Sequence, residues 1–342
     1  MKHRVGIVGT GFGAVAHLPA YAAHPRFEVV AIASPHNASR IAAERNIAAF
    51  PSCEAMLECA DIDVVSIATP PFAHRDDVIA SLSAGKHVIC EKPFALNVAQ
   101  AQEMCDAANK SQSTTAVMHE FRWIPQRVAL RELVAHGHLD PLREIEFTHL
   151  AQWLRHGEKR RRSWWFERDL GGGVAGAILS HVIDTSNWLA GRPPLRSTGY
   201  IRTANHERRD EQNETFQSSV DDGAFALVDY GDGLIGRLCA DACTSVESVT
   251  IAVHGEERTA VSSGPDVVDV RLFSIDAEET AELDCKPSPH AKFESLGGNV
   301  PLIMDLLDEF VKAIEGKRSA VPTFEEALAT QRVLESIGYG TP

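Results

Sequence analysis

The sequence lacks two features that would place the protein on a membrane or on a nucleic acid. No apolar run in its 342 residues approaches the roughly 20 residues that cross a bilayer. Its 33 Lys and Arg residues are outnumbered by 47 Asp and Glu residues, so the net charge of −14 would repel a phosphate backbone. We therefore expect neither a membrane nor a nucleic acid as a partner.

The sequence lacks the cysteine arrangement of a disulfide framework. The seven cysteines are odd in number and include no C-x-x-C pair. The N-terminus starts basic and apolar like a signal peptide, but it runs into a glycine-rich turn without a small-residue cleavage site. We predict reduced thiols in a cytoplasmic protein. Histidines such as His17 and His24 are scattered, and no His/Cys cluster has the spacing of zinc ligands, so we predict no metal site.

What is present is an ordinary globular composition, with 44% hydrophobic and 23% charged residues, at a length that suggests two domains. The first 120 or so residues alternate short runs rich in Val and Ile with helical patterns such as Ala38–Arg45 and Asp76–Ala84. This alternation predicts βαβ units around a parallel sheet. The predicted strands are Arg4–Gly9, Glu28–Ala33, Val64–Thr69, His87–Cys90 and Thr115–Met118.

The pattern changes after a predicted helix at Pro125–Ala135. Strands then follow one another through turns that contain Gly and Asp, which favours an antiparallel sheet. The predicted strands are Ile145–Trp153, Ala224–Tyr230, Leu234–Ala242, Val249–His254 and Val267–Phe273. The other predicted segments are helices at Val174–Leu189, Val300–Glu315 and Thr323–Ser336 and an exposed loop at Asn205–Asp222. We predict a doubly wound α/β domain over residues 1–122 and an α+β domain over residues 123–342.

A glycine-rich turn follows the first predicted strand. It reads G-x-G-x-x-A, and a helical pattern over Val15–Ala23 follows it. In such a turn the first glycine permits the tight bend, the second lets the backbone approach a pyrophosphate, and the small third residue keeps helix and strand close. The alternative is a turn that only reverses the chain. The residues predicted to bind a dinucleotide at the helix N-terminus are Gly9, Gly11, Phe12, Gly13 and Ala14.

The end of the second strand bears on the choice between the two nicotinamide dinucleotides. An NAD-preferring site would hold Asp or Glu near Ser34, where a carboxylate bonds the ribose 2′-hydroxyl. Ser34 carries no charge to repel a 2′-phosphate, and Arg40 lies just downstream. We predict NADP or NAD as the cofactor, with NADP favoured. The alternative for Arg40 is a solvated residue on the next helix.

Three further motifs follow the glycine turn in order along the chain. They are Ala68-Thr69-Pro70-Pro71 with His74, then Gly85-Lys86-His87-Val88-Ile89-Cys90-Glu91-Lys92-Pro93, then Gly171-Gly172-Gly173 with His181, Asp184 and Trp188-Leu189-Ala190-Gly191. Together the four motifs resemble the Gfo/Idh/MocA family of NAD(P)-dependent oxidoreductases. The resemblance implies a Rossmann domain, a C-terminal domain with an open, mainly antiparallel sheet, and a sugar, cyclitol, polyol or related substrate. Because such sheets pack face to face in the family, it also implies a homodimer or homotetramer.

The resemblance implies catalytic roles for Lys92 and His181, and the chemistry of hydride transfer suits both residues. Oxidising an alcohol requires a group that accepts the hydroxyl proton and a donor that steadies the developing oxyanion. An ammonium at Lys92 can polarise a carbonyl, and an imidazole titrates near neutrality. The alternatives are a surface lysine ion-paired to Glu91 and a core histidine. The residues of these motifs implied to contact the cofactor are Thr69, Pro70, His74, Glu91 and Lys92.

One position departs from the family pattern. Many members carry Asp four residues before the histidine, where Ala177 stands here, so the resemblance implies a Lys–His pair without that carboxylate. Trp165 follows the basic run Lys159–Arg162, for which the alternative is a solvated charged segment. The weaker candidates for substrate contact are Arg122, Trp165 and Asp184.

The predicted function is that of an NAD(P)-dependent dehydrogenase or reductase acting on a CH–OH group. Two alternatives are a non-catalytic NAD(P)-binding sensor, and a hydrolase or lyase that oxidises its substrate only transiently. Consumption of cofactor separates the three, because only the dehydrogenase turns over stoichiometric NAD(P)H.

Overall fold

A computed structural model describes residues 2–264, 269–275 and 277–340. Its contacts divide the chain into two compact units. The first unit comprises Met1–Trp123 with Ser288–Leu328, and the second comprises Ile124–Pro287 with Ala329–Pro342. Within the described ranges, none of the helices combines the length and the apolar character needed to span a bilayer.

The first unit is built on six parallel strands, which confirms the predicted parallel sheet. The strand order is β3-β2-β1-β4-β5-β6, so the direction of winding reverses between β1 and β4. Ligands of open α/β sheets bind outside the carboxyl ends of the strands at such a reversal. The strands are β1 (His3–Val8), β2 (Phe27–Ala33), β3 (Ala48–Phe50), β4 (Val64–Ile67), β5 (His87–Cys90) and β6 (Thr115–Val117).

Helices cover both faces of this sheet, and local sequence explains where several of them begin. Side-chain oxygens cap two of the helices: Ser52 accepts the Ala55 N–H at 3.2 Å, and Asn97 accepts the Gln100 N–H at 2.9 Å. A π-type turn over Gly13–His17 runs directly into the first helix. The helices are α1 (Leu18–Ala23), α2 (Ala38–Arg45), α3 (Cys53–Cys59), α4 (Pro71–Ser83) and α5 (Val98–Lys110).

The second unit is built on an eight-stranded sheet in the order β16-β15-β14-β13-β7-β12-β11-β8. Neighbouring strands are antiparallel except for β7 and β12, which confirms the open, mainly antiparallel sheet. The strands of the unit are β7 (Leu142–Leu150), β8 (Arg196–Arg202), β9 (Glu207–Arg209), β10 (Thr215–Gln217), β11 (Gly223–Gly231), β12 (Leu234–Asp241), β13 (Ser248–Gly255), β14 (Arg258–Ser263), β15 (Asp269–Ser274) and β16 (Ala277–Asp284).

The two faces of this sheet differ. One face buries residues such as Phe147 and Leu238 in a core with α6 (Pro125–Ala135) and α7 (Ser180–Ala190). The strand register places Leu227 and Tyr200 on the opposite face, where their side chains are 51% and 66% exposed. Ion pairs share that outer face. They are Arg196–Asp229, Arg237–Glu144 and Arg237–Glu146.

Residues Ser288–Leu328 belong with the first unit, although the sequence analysis placed everything after residue 122 in one contiguous second domain. The physical reason is helix α8 (Val300–Ile314), whose Leu306, Leu307 and Phe310 side chains are fully buried in the core that holds α1 and α2. The next helix, α9 (Phe324–Ser336), begins in the first unit, with Phe324 buried in the core beside β5 and α5.

Several strands went unpredicted. The segment 205–222, predicted as a loop, contains the hairpin β9–β10, and strands β3, β8, β14 and β16 carry no long apolar run. The predicted helix Val174–Leu189 is a π-type turn over Ala175–Leu179 followed by α7. The predicted strand Val267–Phe273 appears as β15, and its first two residues lie outside the described ranges.

Candidate active site

The glycine turn lies at the carboxyl end of β1 and leaves open space at Gly11. A Cβ at Gly9 would overlap the carbonyl oxygen of Ala68, and the φ of Gly9 is +103°, so this position requires glycine. A Cβ at Gly11 would meet no atom within 4 Å. The turn therefore keeps an unfilled approach to its backbone at a helix N-terminus, which suits the pyrophosphate of a dinucleotide.

Gly13 makes the close contact between helix and sheet that the sequence analysis assigned to Ala14. A Cβ at Gly13 would lie 3.1 Å from the Ala68 Cβ and 3.2 Å from the Ile7 Cγ2. Ala14 is only half-buried, and Phe12 between the glycines is exposed. The turn thus packs through Gly9 and Gly13 and opens at Gly11.

Ser34 lies next to this turn, at the end of β2. Thr10 Oγ1 donates a hydrogen bond to Ser34 Oγ at 3.1 Å, which joins the two loops. Arg40 is exposed on α2 and pairs with Glu44 at 2.9 Å, one helical turn away. An exposed pair of this kind contributes only a few tenths of a kcal/mol, about 0.3–0.5, so an anion that arrives at Arg40 can compete with it.

The turns after β4 and β5 follow paired neighbouring strands. His74 is fully buried beneath both turns, with Nε2 2.8 Å from the Thr69 carbonyl oxygen and Nδ1 3.3 Å from that of Phe94. Burial lowers the pKa of His74, whereas the carbonyl oxygens that face its two ring nitrogens act in the opposite direction. The ring braces the backbone of the two turns, and the sequence had suggested a cofactor contact instead.

Lys92 is the more accessible residue of a turn whose other members are buried. Pro93 and Phe94 are buried after it, and the Lys92–Pro93 peptide bond is cis. Thr69 and Pro70, which precede α4, are half-buried, and Thr69 Oγ1 donates to Asp77 at 3.1 Å. The first unit therefore brings the glycine turn, Thr69 and the Lys92 turn together at the carboxyl ends of the neighbouring strands β1, β4 and β5.

Glu91 faces inward, onto a histidine to which the sequence analysis gave no role. The Glu91 Oε1 accepts the His17 Nε2–H at 2.9 Å, and Oε2 accepts the backbone N–H of Lys92 at 3.0 Å. Burial alone would raise the Glu91 pKa, but the hydrogen bond from His17 and the charges of His17 and Lys92 outweigh it and lower the pKa. Glu91 as a whole residue is 6% exposed, so its carboxylate serves the turn rather than an outer surface.

In the second unit, the segment that carries His181 is fixed from a distant point in the sequence. His181 and Asp184 are both buried on α7. The preceding π-type turn begins at Ala175, whose N–H donates to Asp221 Oδ2 at 2.7 Å. Burial raises the pKa of Asp221 to about 7, although the backbone N–H that it accepts acts in the opposite direction.

The triple glycine before this segment lets the loop of Trp165 pack tightly. A Cβ at Gly172 would overlap the Trp165 carbonyl oxygen, and one at Gly173, where φ is +105°, would overlap the Asp221 carboxylate. Trp165 is half-buried, with its ring 5.4 Å from that of Trp153. The Arg160 guanidinium lies over both indoles, 4.7 and 5.2 Å from their centroids, so the basic run supplies a cation–π contact.

Arg122 is placed differently from the sequence prediction of substrate contact. Its side chain is 2% exposed and pairs with Glu326 at 3.3 Å, near the start of α9. Both residues belong to the first unit. The guanidinium holds the beginning of α9 to the short helix Glu120–Trp123, which is a structural contact.

One group of potential metal ligands is present among the described residues. His24 and His290 place their Nε2 atoms 3.1 and 2.8 Å from the two carboxylate oxygens of Asp308. The Nδ1 of His24 accepts the Arg26 N–H at 3.2 Å, so in the neutral ring Nε2 holds the proton and has no lone pair for a metal. Burial lowers the His24 pKa and keeps the ring neutral. These residues form a hydrogen-bond network.

Two profiles of one protein family match successive parts of the chain. The profile "Oxidoreductase family, NAD-binding Rossmann fold" matches residues 3–119, and "GFO/IDH/MocA C-terminal domain" matches residues 128–261. The chain belongs to the Gfo/Idh/MocA family of oxidoreductases. Both the predicted family and the predicted pair of folds are thereby confirmed.

Similar proteins include characterised members of the Gfo/Idh/MocA family. Levoglucosan dehydrogenase from Pseudarthrobacter phenanthrenivorans is 29% identical over 75% of this chain and 72% of its own length. The scyllo-inositol 2-dehydrogenase (NADP(+)) of Bacillus subtilis is 23% identical over 98% of this chain and 87% of its own. A solved structure of levoglucosan dehydrogenase in complex with NADH matches with a TM-score of 0.87 at 23% identity, over 99% and 97% of the two chains.

This Gfo/Idh/MocA protein holds its two catalytic candidates in different surroundings. Lys92 is partly exposed at a strand end, whereas His181 is buried on a helix. Ala177, which the sequence resemblance aligns with an aspartate of many family members, is half-buried inside the π-type turn. The residues that sequence reasoning missed are His17, Ser66 and Asp221, and the only local signal among them was the position of His17 three residues beyond the glycine turn.

Proposed function

We propose that the protein transfers hydride between a nicotinamide cofactor and a secondary alcohol or ketone of a sugar, cyclitol or related polyol. One observation carries this proposal. An open glycine turn and an accessible lysine both lie at the carboxyl ends of the strands of a Rossmann sheet. Relatives named for levoglucosan and scyllo-inositol support the substrate class. They lend no support to a sensor or a redox-cycling hydrolase.

We propose the following division of work among the residues. The glycine turn, with the open backbone at Gly11, binds the pyrophosphate, and Thr69 and Pro70 line the approach beside it. The Lys92 ammonium hydrogen-bonds the reacting oxygen and steadies negative charge there. His181 accepts the hydroxyl proton in oxidation and returns it in reduction. The bound cofactor supplies the hydride chemistry itself.

Three finer points are also proposals. The uncharged Ser34, with Arg40 nearby, supports a preference for NADP over NAD. The outer face of the second unit's sheet, with exposed Leu227 and Tyr200, supports a homodimer or homotetramer. The seven cysteines are free thiols, which supports a cytoplasmic location because thiols stay reduced in that compartment.

A cofactor-linked substrate screen tests the function. Purified protein with NADPH or NADH would be mixed with keto sugars and keto polyols, and with NADP or NAD for the corresponding alcohols. We expect stoichiometric change in the absorbance of reduced nicotinamide, lost in Lys92→Ala and kept in Lys110→Ala, which removes an exposed lysine at the end of α5. Bound cofactor without turnover would favour a sensor, and product without net cofactor consumption would favour a lyase.

A further inference from the structure

The buried His17–Glu91 pair connects the two turns on which the proposed function rests. His17 lies at the end of the π-type turn that starts at the glycine turn, and Glu91 immediately precedes Lys92. The ring of His17 is fully buried, and its edge-on contact with Phe12 has a centroid distance of 5.6 Å. One continuous set of contacts therefore runs from the glycine turn to the Lys92 backbone.

Both ring nitrogens of His17 have partners in this arrangement. Nε2 lies 2.9 Å from Glu91 Oε1, and Nδ1 lies 2.8 Å from the hydroxyl of Ser66, which is itself fully buried on β4. An ionised carboxylate can only accept hydrogen bonds, so Nε2 carries a proton. The orientation of the ring is thus fixed from both sides, and the Glu91 carboxylate is fixed by the ring.

Glu91 then acts on Lys92 in two ways. Its second oxygen accepts the Lys92 N–H at 3.0 Å, which fixes the backbone from which the lysine side chain extends. Glu91 is also the neighbour of Lys92 in the chain, so its negative charge favours the ammonium form of the lysine. The charge of Lys92 favours the ionised form of Glu91 in return. Removing His17 would leave a buried carboxylate without its main donor, a change that buried ion pairs tolerate poorly.

We propose that His17 and Glu91 are positioning residues for Lys92, which link the placement and charge of the catalytic lysine to the cofactor-binding turn. The inference rests on the proposed function for its catalytic meaning. Its structural content, a histidine–carboxylate pair that sets the surroundings of Lys92, can be tested separately from turnover.

Two substitutions of His17 separate its two hydrogen bonds. A glutamine amide nitrogen occupies the place of Nε2 and can still donate to Glu91, whereas an asparagine amide occupies the place of Nδ1 and reaches toward Ser66. We expect His17→Asn to lower kcat about 10–100-fold, since a small misplacement of a catalytic group has effects of this order. We expect His17→Gln to stay within about fivefold of wild type, with KM little changed in both variants.

The charge of Glu91 gives a second readout. Glu91→Gln keeps the size of the side chain but removes the negative charge beside the ammonium. We expect the alkaline limb of the kcat profile to move to lower pH by about one unit. Ser66→Ala serves as the matched control, because it removes a partner of His17 and leaves the Glu91 hydrogen bond in place.

A chemical measurement tests the pair without any turnover. Acetic anhydride in limiting amount would modify lysines at pH 8, and mass spectrometry would compare Lys92 with exposed Lys110 as the internal standard. We expect Lys92 to react about 3–10-fold faster in Glu91→Gln and in His17→Asn than in wild type or His17→Gln. Glu91→Gln removes the negative charge beside the amine directly, and His17→Asn removes it because a buried carboxylate that has lost its donor binds a proton.

The outcomes distinguish the two proposals. Equal kcat values and equal Lys92 acetylation in His17→Asn, His17→Gln and wild type would overturn the positioning role, whatever the substrate screen gives. Altered acetylation in a protein that binds cofactor but turns over no polyol would support the pair and contradict the proposed function. A merely structural role would lower the melting temperature of both His17 variants without separating their acetylation rates or pH profiles.

Discussion

The turn around Lys92 and the helix around His181 are held in place by different kinds of contact. In the first unit, charged and hydrogen-bonding side chains brace the turn at close range, with His74 and the His17–Glu91 pair beneath it. In the second unit, glycines and a single carboxylate, Asp221, let the π-type turn pack against its neighbours. The contacts around Lys92 fix the position of a charged side chain, whereas the contacts around His181 fix the backbone of a helical segment. Substitutions in the two places should therefore have different effects.

The largest effect is expected at the glycine turn. Gly11→Val should abolish NAD(P)H binding while the protein stays folded, because the side chain would fill space that the turn now leaves open. Fluorescence titration of NAD(P)H and circular dichroism would measure the two properties. Gly298→Ala, also in open space in the first unit, is the control. Wild-type affinity in Gly11→Val would remove the dinucleotide assignment.

Substitution of the two catalytic candidates compares the first unit with the second directly. Lys92→Ala should lower kcat by about 10²–10⁴-fold, equivalent to roughly 3–5 kcal/mol of barrier, with the fold and the cofactor affinity retained. His181→Ala should be milder, because water can relay a proton to or from the substrate. Steady-state kinetics with each variant checks the order. Near-wild-type turnover in His181→Ala would show that His181 is a packed core residue.

Sequence reasoning reached the parts of the site whose physical causes are local. Gly9 and Gly11 were predictable because a tight bend and an open backbone are demands of the turn itself. The partners of Glu91 and Ala175 were not, since His17 lies 74 residues from Glu91 and Asp221 lies 46 residues from Ala175. Three-residue strands such as β3 and β9 carry too few residues to show a period of two.

The placement of α8 escaped prediction for a related reason. An amphipathic pattern shows that a helix has a buried face, but it does not say which sheet covers that face. Only the contacts of Phe310 and its neighbours with the core of the first unit assign Ser288–Leu328 to that unit. Chain order alone therefore misplaced a segment whose helical structure was predicted correctly.

A change of pH should affect the second unit through Asp221. Its pKa is about 7 in the folded protein against an ordinary 3.8, so its contribution to stability is full below pH 4 and is lost as the pH rises to about 7. Asp221→Asn keeps an oxygen for the Ala175 N–H and removes the titration. We expect it to raise the free energy of unfolding by about 1–4 kcal/mol at pH 8, with little change at pH 4.

Thermal melts from pH 4 to pH 8 would check this prediction. Asp169→Asn, an exposed aspartate in the same unit, is the control and should leave the slope unchanged. Destabilisation of Asp221→Asn at pH 8 would show that the carboxylate is ionised in the folded protein and contributes as a helix cap.

The outer sheet face gives a smaller, concentration-dependent effect. Leu227→Lys should dissociate the oligomer at micromolar concentration without lowering the melting temperature of the subunit, because the side chain is already half exposed. Light scattering would measure the mass. Leu296→Lys, at an exposed leucine in the first unit, should leave the mass unchanged. A wild-type monomer at the same concentration would contradict the proposed assembly.

The smallest effect is expected for the choice between NADP and NAD. The substitution that tests it changes the charge of one residue in the first unit. Ser34→Asp should weaken NADPH binding about tenfold or more, because a carboxylate would repel the 2′-phosphate, while NADH binding is kept or improved. Ser34→Asn, of equal size without charge, separates repulsion from crowding. Fluorescence titrations with both reduced cofactors give the ratio of dissociation constants. If the wild type already binds NADH far more tightly than NADPH, the proposed preference is wrong, and Arg40 is simply the solvated partner of Glu44.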